Sequence, residues 1–76
     1  MTVSTLLLSR AENRETMARQ SAEVVDRLRG ELAIETNPAL RVSLECRIAI
    51  RKGDRDNDAA AARLYRKAAE QAKGLE

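Results

Sequence analysis

Seventy-six residues leave room for one domain, and only 20 of them carry apolar side chains larger than alanine. One cysteine excludes an internal disulfide and no histidine is present to ligate a metal or act as a general base, so a core this small is expected to lean on a second subunit. The charge is mixed, with 14 basic residues (11 of them arginine) against 12 acidic ones for a net +2, which argues against a dedicated polyanion binder.

The first element reads as a long helix. Val3, Leu7, Ala11, Ala18, Val25, Leu28 and Leu32 recur at steps of three, four or seven and form one apolar stripe. Glu15–Arg19 and Glu23–Arg27 add pairs at i, i+4 with the acid N-terminal to the base. Ser9-Arg10-Ala11-Glu12 matches a capping box, so the start falls anywhere from residue 3 to residue 10. The end is expected at residue 34, before a turn at Glu35-Thr36-Asn37. Arg10 and Arg14 lie on the stripe, so its first half is not a dry seam.

The second element carries two conflicting signals. Asn37 suits an N-cap, Pro38 the first helical position and Gly53 a C-terminal stop, which predicts a helix over 38–52. Leu40, Val42, Leu44, Cys46, Ile48 and Ile50 nevertheless alternate with Arg41, Ser43, Glu45, Arg47, Ala49 and Arg51, the period of a strand. Such a strand has no partner of its own quality in this chain and would have to pair with a second copy. As a helix, the segment is apolar on two sides: Val42, Cys46, Ala49 and Ile50 on one, Leu40, Leu44 and Ile48 on the other. Both sides then need covering.

The third element is expected as a helix over 57–73. Asp54, Asp56, Asn57 and Asp58 offer caps and negative charge for its N-terminus, and Lys73-Gly74 mark its end. Its stripe reads as Ala61, Leu64, Tyr65, Ala68 and Ala72. The fold class predicted is therefore all-α: a long first helix followed by a two-helix hairpin, three helices in all, assembling as a dimer or higher oligomer.

Chemistry-bearing motifs are few. Asp54-Arg55-Asp56-Asn57-Asp58 resembles the opening of a calcium loop, but Ala59 and Tyr65 stand where that loop requires glycine and a bidentate glutamate. Cys46 sits in an apolar repeat and reads as a small core residue, not a reactive thiol. No catalytic residue, cofactor, metal or small-molecule substrate is expected. No apolar run approaches the roughly 18 residues of a membrane span, Leu6-Leu7-Leu8 has no leader-like charge before it, and an unpaired cysteine fits a reducing cytoplasm.

Two functions remain. The first is a non-catalytic protein-interaction module of the adaptor, accessory, chaperone-like or inhibitor kind. It would associate with itself or a protein partner through Val25, Leu28, Leu32, Leu40, Leu44, Ile48, Leu64 and Tyr65. The second is a small dimeric nucleic-acid-binding protein that contacts phosphates through Arg41, Arg47, Arg51, Lys52, Arg55, Arg63, Arg66 and Lys67.

Overall fold

The computed structural model describes residues 1–76 and contains two helices and no strand. Helix α1 spans Val3–Ile34 and helix α2 spans Pro38–Leu75. Glu35-Thr36-Asn37 reverse the chain between them, so the helices lie antiparallel in a hairpin 58 × 13 × 13 Å.

Both helix starts are fixed by side chains. Thr2 caps α1, its Oγ1 accepting from the Thr5 backbone N–H at 3.2 Å, so the helix begins at residue 3 and the Ser9 capping box goes unused. Asn37 caps α2, its Oδ1 accepting from the N–H groups of Ala39 and Leu40 at 2.9 and 3.3 Å. Pro38 follows at the first helical position, where its missing N–H costs nothing. Asn37→Ala removes the acceptor and is expected to cost about 1 kcal/mol of stability, read as a lowered melting temperature. Arg41 completes the turn by donating from one guanidinium nitrogen to the carbonyls of Leu32 and Glu35, both at 2.8 Å. The Leu32 carbonyl also accepts from the Glu35 N–H at 3.3 Å, so Arg41 gives it a second donor while joining it to the Glu35 carbonyl across the end of α1.

On this part of the chain the expected helix stands, its strand alternative falls, and two expectations are corrected. Residues 38–52 are helical, which removes the strand alternative. The alternation instead sends Leu44 and Ile48 toward α1 and leaves Val42, Cys46 and Ile50 exposed. Cys46 is thus not a core residue. Nor does Gly53 end a helix: α2 runs through Gly53-Asp54, so the predicted second and third helices are one. No glycine adopts positive φ, and Gly53 has nothing within 4 Å of where a side chain would begin. A solvent-facing glycine in a helix interior weakens the helix by about 1 kcal/mol relative to alanine, too little to stop one that is docked along its whole length.

Packing follows a seven-residue repeat. On α1, Ser4, Ala11, Ala18, Val25 and Leu32 are buried or half-buried at steps of seven, with Leu7, Arg14, Ser21 and Leu28 three residues after each of the first four. On α2 the buried or half-buried series is Arg41, Ile48, Arg55, Ala62 and Ala69, with Leu44, Asp58, Tyr65 and Ala72 in the companion register. A repeat of seven held over this length keeps one seam facing the partner helix only if the two helices supercoil. The hairpin is an antiparallel helix pair packed along this seam, which lapses at exposed Arg51 between Leu44 and Asp58.

The seam is unequal along its length. Near the turn it is built from Val25, Leu28, Leu44 and Ile48, with Val24 and Leu32 packed against them. Toward the termini it is built from Ala11, Ala62 and Ala69, each at most 3% exposed, and from Ser4. The stripe expected on residues 61–72 is therefore shifted: Ala62 and Ala69 are buried, whereas Leu64 is 69% exposed. At the open end Glu76 accepts from the Ser4 backbone N–H and Oγ at 2.9 and 2.6 Å, which holds its carboxyl below the usual range.

Candidate interaction surface

The residues expected to meet a partner divide between the seam and the surface. Val25, Leu28, Leu44 and Ile48 are buried within the hairpin, and Leu32 and Tyr65 are half-buried in the same seam. Leu40 and Leu64 stay on the surface, 52% and 69% exposed.

They are not alone there. Eleven large hydrophobic side chains are exposed: Met1, Val3, Leu6, Leu8, Met17, Ile34, Leu40, Val42, Ile50, Leu64 and Leu75. The seven-residue repeat places eight of them on one side of the hairpin. Met17 and Ile34 of α1, with Leu40 and Ile50 of α2, line a run of shallow depressions along one groove between the helices. Val3 and Leu6 lie two and four repeats before Met17 and Ile34, while Leu64 and Leu75 lie two and five repeats after Ile50 and Leu40. Half-buried Val24 joins them in the groove floor. Polar and charged side chains, among them Gln20, Arg27, Glu31, Arg47, Arg51 and Asp54, are interleaved with these apolar ones along the groove.

The opposite side has another composition. Glu15 of α1 and Arg66 of α2 meet there in a two-pronged pair, with donor–acceptor distances of 2.6 and 3.0 Å. Arg66 holds the Glu15 carboxyl below its ordinary value of 4.5, chiefly by those hydrogen bonds. A carboxyl depressed in the folded state contributes stability above its unfolded pKa and loses it as pH falls through the folded value. The melting temperature is therefore expected to fall below pH 4.5, and Arg66→Gln to remove part of that fall in an acid series of thermal melts.

One ion pair lies inside the seam. Arg14 donates to Asp58 at 2.8 Å, and the Asp58 side chain is only 10% exposed. Asp58 is not the N-cap that the acidic cluster suggested but a mid-helix carboxylate whose charge the stripe's odd arginine balances. Without Arg14 it would be an uncompensated charge in a largely dry position, the costly case for a buried ion.

Among the candidate phosphate contacts, Arg47 and Arg51 line one depression together with Arg27, and the others are spread around the hairpin. Arg41 is occupied at the turn, Arg55 lies against Asp56 at 3.1 Å, Arg51 faces Asp54 at 3.8 Å and Arg66 holds Glu15. Arg47 borders the apolar groove, half-buried Lys52 lies by the charged side, and Arg63 and Lys67 are exposed on other sides of α2. Duplex binding needs several cations presented together.

The sequence reading missed Met17, Val24 and Ile34 as surface features and placed Ile50 on a side without assigning it. The available signal was the repeat of seven: once its seam positions are set aside, the remaining large hydrophobics fall on one flank. No family model, curated protein or solved structure matches this chain.

Proposed function

We propose that the chain is a non-catalytic helical protein-interaction module, acting in the cytoplasm through the apolar flank formed by Met17, Val24, Ile34, Leu40, Ile50 and Leu64. The observation that supports it most is the gathering of eight of the eleven exposed large hydrophobics on one side. Leaving that side in water is unfavourable by about 25 cal/mol for each Å² of apolar area, and a protein partner relieves the cost. The ion pairs Arg14–Asp58 and Glu15–Arg66 join the two helices to each other, a holding role. No helix is long and apolar enough to cross a membrane.

Photo-crosslinking in cells tests this. A benzophenone amino acid in place of Leu64 is expected to give covalent protein adducts, while the same probe in place of neighbouring Arg63 gives few. Equal labelling from both positions, or adducts with nucleic acid alone, would overturn the proposal.

A further inference from the structure

We propose that Arg27, Arg47 and Arg51 form a binding site for a phosphate monoester, carried by a phosphorylated side chain or by a small phosphate ester. The three arginines line one depression, Arg27 from α1 and Arg47 and Arg51 from successive turns of α2. Val24, Leu28 and Ile50 supply its apolar lining. Asp54 is the one carboxylate there, 3.8 Å from an Arg51 guanidinium nitrogen, and both side chains are half exposed. An exposed pair of that length holds little and leaves Arg51 free to turn to a ligand. Neither Arg27 nor Arg47 closes an ion pair in the chain, although Glu23 and Glu31 stand one turn to either side of Arg27. Arg47 and Arg51, four residues apart on one helix, repel each other until an anion lies between them.

Charge and donor count select the ligand. Three arginines and one aspartate give the depression +2, the net charge of the whole chain, so the other 11 basic and 11 acidic residues cancel. Acidic groups bound it along the groove, Glu31 and Glu35 toward the turn and Asp58 toward the termini. The positive potential is thus confined to one place. A phosphate monoester carries about −1.5 to −2 charges near neutrality and three terminal oxygens, which suit three guanidinium forks. A carboxylate brings one charge and two oxygens. A duplex spreads single charges along a rod, and the remaining basic residues are not aligned to follow one.

Titration of the full chain with phenyl phosphate, followed by amide NMR, tests the site. Shifts are expected to centre on Arg27, Arg47 and Arg51. The chain has no histidine, so pH dependence in this range belongs to the ligand. Affinity is expected to rise about five-fold from about pH 5 to about pH 7.5, as the ester loses its second proton near pH 6. Arg27→Gln and Arg47→Gln should each weaken binding about five-fold, whereas Arg63→Gln leaves it unchanged and Asp54→Asn strengthens it. All four side chains are exposed, so the fold survives each exchange. Absence of localised shifts overturns the proposal, as does binding indifferent to Arg27→Gln and Arg47→Gln. Benzenesulfonate binding as tightly, with no pH dependence, overturns the monoester assignment. So does duplex DNA that binds more tightly than phenyl phosphate and is weakened by Arg63→Gln. A phosphoserine tripeptide that outbinds phenyl phosphate supports the site with a phosphorylated protein as its source, and the reverse order supports it with a small ester. None of these outcomes bears on the Leu64 crosslinking, which reads the apolar flank itself.

Discussion

Leu28→Ala is expected to be the most damaging single truncation in the chain, lowering stability by about 3 kcal/mol and the melting temperature by roughly 15 °C. Leu28 is 1% exposed and is one of only two large side chains that are fully buried, the other being Val25. It packs with Val25, Leu44 and Ile48 in the one cluster of large residues that joins α1 to α2. Total stability for 76 residues is of order 4–11 kcal/mol, so this one truncation removes a large fraction of it. Two helices alone have no third layer that could move in to fill the cavity, which places the loss at or above the lower end of the range for leucine truncations. Thermal or urea unfolding at fixed protein concentration measures it, and a loss below about 1 kcal/mol would mean that the hairpin is held elsewhere.

The largest gain is expected from Gly30→Ala and Gly53→Ala combined. Both glycines lie in helix interiors on the outward side, neither has positive φ, and a Cβ at either position meets nothing within 4 Å. Alanine narrows the unfolded ensemble and better covers the helix backbone, adding about 0.5–1 kcal/mol at each site. The sites lie on different helices and share no partner, so the effects should add to roughly 1–2 kcal/mol, or about 5–10 °C. The Gly53 substitution also tests the continuity of α2. If Gly53 closed a helix in a left-handed conformation, alanine there would destabilise the protein instead.

These two substitutions mark where the sequence was and was not readable. The turn at Asn37-Pro38 was legible because a cap acceptor beside a fixed φ has one economical structure, and α1 was legible because its seam holds Val25, Leu28 and Leu32 at helical spacing. Gly53-Asp54 misled because glycine and clustered aspartates mark helix ends when local preference decides. Here tertiary packing decided: Ile48, Arg55, Ala62 and Ala69 continue one repeat across the glycine, and Asp58 is held by Arg14. The repeat was hard to see because alanine and serine fill so much of it. Leu64 drew attention by size while Ala62 and Ala69 carried the contact. The apolar flank was hidden for the same reason, since it becomes visible only after the seam has been placed.

The uneven seam also sets an order of assembly. In a hairpin every contact between α1 and α2 joins residues whose separation along the chain grows with distance from the turn, from nine between Arg41 and Leu32 to 72 between Ser4 and Glu76. Loop closure is least costly near the turn, and that is where Leu28, Leu44 and Ile48 sit. Folding on this layout nucleates there and zips outward, and the alanine-lined end closes last and opens first. Amide protons around Leu28 and Leu44 would then exchange slowest, with protection declining toward both termini.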